Sequence, residues 1–356
     1  MEFDQLQSFL YFGMGTCLCF VVLFKLTKYA FSINAVLVLA LLYYLSSEVP
    51  WVDLVMYLGC PLMLINTALY VYLDASENSH KIAPCYTVTF KTNQGKLQLH
   101  NVKRGVSIIG AAGSGKTESV VYGFLQHFQK EEFCGVIHDY KNFELTEMAY
   151  PLFKNGSIPF KIIAFDRIFH KVNPIAPRYL ENEESVNEVA KVLIENLLEQ
   201  RESGVSGTTK FFNDAAEGLI GGLIWKLKMD YPNLCTLPHL IAVYQYLDTE
   251  SLIGFLKTNT TSRAMADAFI SGKDSERQTA GVKSTLANAL KRISTQSIFM
   301  VLSEDEVPLN INSTSNPCVL SVVNNPKYEA AYAPVIATII HTITKQMSVR
   351  GQRPSF

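Results

Sequence analysis

Three glycines, a lysine and a threonine stand in this chain at the spacing that holds an oligophosphate. Residues 106–121 read VSIIGAAGSGKTESVV, and from Gly110 the pattern is G-x-x-x-x-G-K-T. Gly110, Gly113 and Gly115 let the backbone bend so that successive N–H groups point inward, and a helix opening at Lys116 adds the positive end of its dipole. Lys116 would reach the β- and γ-phosphates of a nucleotide, and the Thr117 hydroxyl would ligate Mg²⁺. The expected contacts to ATP run from Gly110 through Ala111, Ala112, Gly113, Ser114, Gly115, Lys116 and Thr117 to Glu118. The same pattern could also arise as a fortuitous glycine turn, but here an apolar run precedes it and a helix follows.

Positioning such a loop requires a strand before it and a helix after it. Val106, Ile108 and Ile109 supply strand character, and a helix from Lys116 to about Lys130 would bury Val120, Phe124 and Phe128. A second buried strand, Phe133 to Ile137, ends in His138 and Asp139, and a third, Phe160 to Phe165, ends in Asp166. Alternating strands and helices predict a parallel α/β sheet, whose ligands sit at the carboxyl ends of its strands. Asp139 is thereby aimed at the phosphates as a second Mg²⁺ ligand beside Thr117. Its bland alternative is a turn or capping residue, and for Asp166 only position speaks.

The remaining elements follow from patterning. Tyr86, Val88 and Phe90 alternate with Thr87 and Thr89 ahead of a turn at 93–95, which predicts a β-hairpin. Residues 185–200 repeat apolar side chains at helical spacing, 201–213 read as a mobile surface loop, and 214–229 resume a helix. In that helix Gly218, Gly221 and Gly222 would permit close approach of a neighbour. Between 233 and 297 helix starts are expected at Thr236, Asp248 and Ser275, the last as a capping box with Gln278, and no strand is expected. Residues 319–323 return to the sheet, and 333–347 form a last apolar helix.

Mean hydropathy is +0.14, and the excess apolarity is concentrated near the N-terminus. Residues 7–24, 29–47 and 54–73 contain no charged side chain, and each is about long enough to cross a bilayer. Lys25 and Lys28 lie between the first two segments, whereas Glu2, Asp4, Glu48 and Asp53 lie at the other ends. The first loop is therefore expected in the cytoplasm, and three spans leave the phosphate loop cytoplasmic. Seven cysteines show no metal-binding or disulfide spacing, and a net charge of −1 leaves no basic footprint for nucleic acid.

In this order the features resemble the TraG-type coupling proteins of conjugative type IV secretion, in the Bacteroidetes mobilization branch. The resemblance rests on the N-terminal anchor, on GAAGSGKTESVV, and on GVIHDYKNFELTEMAYPLF in place of the family's apolar strand and D-x-K-x-E segment. It continues through AFDRIFHKVNPIAP, FFNDAAEGLIGGLIWKL and ERQTAGVKSTLANALKRI. It implies an α/β, RecA-like P-loop NTPase domain with an all-helical insertion and a transmembrane helical anchor. The division would be 1–76 anchor, 77–232 first part of the nucleotide domain, 233–298 insertion and 299–356 continuation. It also implies a multi-pass inner-membrane protein assembled as a hexamer, receiving relaxase-bound single-stranded DNA and passing it to the secretion channel at the expense of ATP and Mg²⁺.

One motif departs from the family. Its members carry an apolar strand ending in Asp-Glu, but here Asp305-Glu306 follows the polar pair Ser303-Glu304. The family's strand would come just past Phe356, so a truncated or split chain is expected, binding nucleotide but hydrolysing it poorly. The alternative is a membrane-anchored recruitment module that uses nucleotide without turnover.

Overall fold

The computed structural model describes residues 3–27, 29–46, 50–79, 84–198, 207–272, 275–348 and 353–356. They belong to two compact units, Met1–Thr87 and Val88–Phe356.

The first unit is helical: α1 (Phe3–Leu26), α2 (Ala30–Leu45), α3 (Trp51–Leu54) and α4 (Cys60–Ser79). The helices fall on the three apolar segments of the sequence. One helical stretch, Trp51–Leu73, is long and apolar enough to cross a membrane, and Tyr11–Phe24 and Ala30–Leu45 are shorter apolar helices. Just ahead of Pro61 the helix widens into a π-turn over Val55–Gly59. Proline has no N–H to give and its ring crowds the carbonyl one turn back, so the preceding turn widens. Val38 and Leu42 of α2 pack with Leu54, Leu58 and Leu62.

In the second unit β1 (Val88–Thr92) and β2 (Gly95–Leu99) pair antiparallel as the expected hairpin. The main sheet is parallel, with β3 (Gly135–Asp139) and β4 (Phe160–Ile163) on either side of β5 (Val319–Val323). Every residue of β5 is buried, as the central strand of a sheet covered on both faces must be. On one face α5 (Tyr122–Lys130) and α6 (Glu144–Phe153) bring Leu125, Ala149 and Phe153 onto Cys134, Ile137 and Val319. On the other face α7 (Glu183–Leu197), α8 (Gly207–Asp230) and α15 (Glu329–Met347) cover Leu320 and Val322.

The segment expected to be all-helical carries α9 (Leu237–Tyr246), α10 (Thr249–Lys257), α11 (Thr260–Met265), α12 (Asp267–Ser271), α13 (Glu276–Lys291) and α14 (Gln296–Val301). Thr236 and Asp248 cap α9 and α10 as their sequences suggest. The helices share one continuous core with α7, α8, α15 and β5. Two of the three glycines of α8 permit the close approach expected of them, whereas a Cβ on Gly221 would meet Asn187 Oδ1 only at 3.4 Å, an ordinary contact. A Cβ on Gly218 would stand 2.6 Å from the Met265 carbonyl oxygen, and one on Gly222 would stand 2.8 Å from that of Ser262.

Three local expectations are corrected. Residues 106–109 form no strand, and Ile109 is 93% exposed; a strand exists only by pairing, and none of the described strands lies beside this run. Helix α8 begins at Gly207 rather than Asp214, because Phe212 packs over Gly281, where a Cβ would meet its ring at 2.6 Å; residues 201–206 lie outside those described. Ser275 is the N-cap of α13 but its side chain makes no capping bond; Thr279 Oγ1 ties the first turn by donating to the Gly272 carbonyl at 2.9 Å.

The two edges of the main sheet are finished differently. At the β4 edge His170 Nδ1 lies 3.3 Å from the Ile162 amide and 3.1 Å from its carbonyl oxygen, so in either tautomer it occupies a backbone group that would otherwise face an added strand. At the β3 edge the amides of Cys134 and Val136 donate to the carbonyls of Pro354 and Phe356 at 3.0 and 3.2 Å. Phe356 stacks on Phe128 at 4.4 Å.

Candidate functional site

The phosphate-loop sequence folds as a turn open to solvent. Gly113 and Gly115 hold φ of +73° and +75°, a region glycine enters without strain. Nothing lies within 4 Å of a Cβ built on either, so the backbone faces open space there. Gly110 is required for a different reason, since its Cβ would meet the Ser114 hydroxyl at 2.8 Å and the Lys116 stem at 3.2 Å.

Lys116 folds back over the turn and its Nζ donates to the carbonyls of Gly110 and Ala111, both at 2.6 Å. A cation is thereby fixed against the backbone of the turn. Thr117–Val121 is a single π-turn that leads into α5, and Ser119 Oγ ties it by donating to the Gly115 carbonyl at 2.6 Å. Ala111, Ala112, Ser114 and Glu118 are exposed along the loop and the first helical turn. An anion set against this turn would meet amide groups, the helix N-terminus and Lys116 together, so the residues fit an oligophosphate.

The acidic partner of Thr117 differs from the one expected. Thr117 Oγ1 donates to Glu144 Oε1 at 3.5 Å, and Glu144 Oε2 also lies 3.2 Å from Lys141 Nζ. Asp139, at the carboxyl end of β3, is fully buried. One of its oxygens accepts from the amide and the hydroxyl of Thr146 at 2.7 and 2.6 Å, and the other from the Lys141 amide at 3.2 Å. Its carboxylate is occupied in fixing the turn from β3 into α6.

Glu144 was not singled out by sequence reasoning. The signal was available in DYKNFE, where a second acid follows Asp139 at the start of a helix, but strand-end logic favours the acid on the strand itself.

The other acids have structural partners. Asp166 accepts from Asn325 Nδ2 at 2.6 Å and from the Tyr332 hydroxyl at 2.7 Å. Burial, reinforced by that bond, pushes the Tyr332 phenol well up. Asp305 pairs with Arg178 at 2.8 Å, and Glu306 accepts from the Lys171 amide at 2.8 Å. Burial raises the Asp305 carboxyl, and Arg178 opposes that rise. A cavity of about 830 Å³ beside α6 is lined by Asn142, Phe143, Glu147, Arg167 and His170 among others, and by no residue of the phosphate loop. Among the described residues no cluster of His, Cys, Asp and Glu is arranged as a metal site, and the described cysteines form no disulfide.

No family model and no curated protein matches the chain. Solved structures of the bacterial conjugative coupling protein TrwB do match. The unbound monoclinic form of TrwBdeltaN70 superposes with a TM-score of 0.52 at 13% identity, over 69% of this chain and 52% of that one. TrwB with the ATP analogue ADPNP gives 0.51 at 14% identity, over 69% and 54%. TrwB with the GTP analogue GDPNP gives 0.51 at 13% identity, again over 69% and 54%. The chain spans about half the length of these structures. By its fold, a parallel sheet between helical layers, this chain is similar to the conjugative coupling protein TrwB.

Proposed function

We propose that this chain is a nucleotide-binding coupling protein of the TraG type, anchored in the bacterial inner membrane by its apolar N-terminal helices. The observation that carries the proposal is the turn at 110–117, open and capped by Lys116, on a fold similar to a protein solved with ADPNP and with GDPNP. Gly110 to Glu118 would hold the phosphates of ATP, with Lys116 countering their charge. Thr117 would ligate Mg²⁺, which when bound offsets phosphate charge. The assembled protein would be a hexamer that receives relaxase-bound single-stranded DNA and delivers it to a type IV secretion channel. The commitment of Asp139 to Thr146 favours binding with slow turnover, because it withdraws one carboxylate from the phosphate site.

The test is nucleotide binding by the full chain in detergent, followed with a fluorescent ATP analogue, beside Lys116→Ala. Saturable binding that weakens at least tenfold in the variant supports the proposal. Equal binding by both proteins, or none by either, overturns it. Phosphate release with and without single-stranded DNA then separates a translocating motor from a recruitment module.

A further inference from the structure

The hydroxyl of Thr117 is directed at a carboxylate that no strand-end rule selects, and the path of the chain shows how it comes to be there. After β3, Asn142 and Phe143 adopt φ of +52° and +76°, two successive left-handed residues of which neither is glycine. Asparagine enters this region more readily than other non-glycine residues, but for Phe143 it costs about 1 kcal/mol or more and persists only where surrounding bonds enforce it. Those bonds are present. The Asn324 amide donates to the Asp139 carbonyl at 2.8 Å, the Asn142 amide donates to the Asn324 carbonyl at 3.1 Å, and Asp139 takes both donors of Thr146. The left-handed pair turns the chain so that α6 opens with Glu144 beside Thr117.

As a stabilising residue Glu144 contributes modestly, since an exposed acid in the first turn of α6 gains about 0.3–1 kcal/mol from the helix dipole. Its side chain is 39% exposed, and its ion pair with Lys141 is a surface one at 3.2 Å. The buried, fully bonded Asp139 builds the turn, and the exposed Glu144 is what the turn delivers. From this division of labour we infer that Glu144 is the carboxylate through which the phosphate site recognises a divalent cation. It positions the Thr117 hydroxyl and accepts from the water shell of a hydrated Mg²⁺ held with nucleotide. A hard, strongly hydrated cation is bound in this way by one or two carboxylates together with substrate phosphates. The inference rests on the nucleotide-binding reading of the loop and assigns the acidic half of that site.

The experiment measures affinity of the full chain for the fluorescent ATP analogue with Mg²⁺ and with EDTA, in wild type, Glu144→Gln, Glu147→Gln and Lys116→Ala. Mn²⁺ bound in the presence of ADP is followed in parallel by electron paramagnetic resonance. Glu144→Gln is expected to keep its metal-free nucleotide affinity within about twofold and to lose most of the gain that Mg²⁺ gives. Its nucleotide-dependent Mn²⁺ signal should fall with that gain. Glu147→Gln, which removes an acid from the neighbouring cavity, should keep both. A Mg²⁺ gain in Glu144→Gln equal to that of wild type overturns the assignment, even if nucleotide still binds. A chain that binds no nucleotide under either condition overturns the reading of the loop, and the role of Glu144 falls with it. Lys116→Ala separates the two failures, since it removes affinity with and without the metal.

Discussion

One oxygen of Asp139 receives both the amide and the hydroxyl of Thr146, at 2.7 and 2.6 Å, and Ser321 of the central strand stands 2.8 Å behind that hydroxyl. With the Thr146 proton directed at the carboxylate, Ser321 donates in turn, so a buried chain of hydrogen bonds runs from β5 through α6 to β3. Bonds to a buried charge contribute about 1.5–3 kcal/mol each, and orphaning one end exposes the desolvation cost of the group left behind. Thr146→Val should therefore lower the unfolding free energy by about 2 kcal/mol or more, read from urea denaturation of the full chain in detergent. Asp139→Asn should destabilise similarly while the remaining folded protein keeps its Mg²⁺-dependent gain in nucleotide affinity. Loss of that gain at unchanged stability would return the metal role to Asp139.

Gly135 allows residues 354–356 to lie along β3. A Cβ there would stand 2.5 Å from the Phe356 carbonyl oxygen and 2.7 Å from its ring. The Gly135 amide donates toward β5, to Cys318 at 3.3 Å, whereas the flanking amides of Cys134 and Val136 donate to Pro354 and Phe356. Gly135→Ala should cost about 1–3 kcal/mol by overpacking. In hydrogen exchange the Val136 amide should lose protection while the amide at 135 keeps it. Equal loss at both positions would mean that the sheet itself had failed.

Glycine does opposite things in two helices. In α8 the obstacles to a Cβ on Gly218 or Gly222 are backbone carbonyls, which cannot swing aside, so alanine at either should cost about 1–3 kcal/mol. Gly254 of α10 is exposed and has nothing within 4 Å of a Cβ, so Gly254→Ala should stabilise by about 0.5–1 kcal/mol through helix propensity and the entropy of the unfolded chain. Thermal melts of the three variants check the contrast, and a stabilised Gly218→Ala would show that α8 and α11 have room to separate.

The close approach at α8 was legible because glycine in an apolar helical pattern has few other physical reasons. Strands β3, β4 and β5 and the long helices were legible for a similar reason, since their apolar residues mark faces they bury, whereas the largely exposed hairpin was legible from its alternation and turn residues. What escaped depends on partners distant in sequence. Ile109 has strand character but no strand beside it, and Gly207 starts a helix because Phe212 reaches Gly281. In the candidate site the glycines, Lys116 and Thr117 declare themselves by spacing, since backbone bending and phosphate charge require those types in that order. The choice between Asp139 and Glu144 was not written in spacing. That Glu144 rather than Asp139 stands beside Thr117 follows from the left-handed pair Asn142 and Phe143, of which Asn142 is a type that tolerates positive φ but Phe143 gives no such sign.

Helices α7 and α15 are joined by a charged cluster whose response to acid can be worked out. Lys345 Nζ lies 2.7 Å from Glu188, and His341 Nε2 lies 3.9 Å from the same carboxylate. Burial pulls the His341 imidazole below its ordinary value of 6.5, with Glu188 opposing and Lys345 assisting. The hydrogen bond from Lys345 holds the Glu188 carboxyl below 4.5. A histidine whose folded-state pKa is depressed binds its proton more weakly folded than unfolded. Its stability contribution is complete above 6.5 and is lost as pH falls from there through the folded-state value. Glu188 acts with the same sign but only below 4.5, so the two windows are separated. The urea midpoint of the full chain should fall between about pH 7.5 and 5.5, and it should fall less in His341→Gln, which cannot charge. Because every other histidine is common to both proteins, the difference between their pH profiles isolates His341. Superimposable profiles would mean that its imidazole titrates alike in the folded and unfolded chain, and that the packing of α15 on α7 does not keep it neutral.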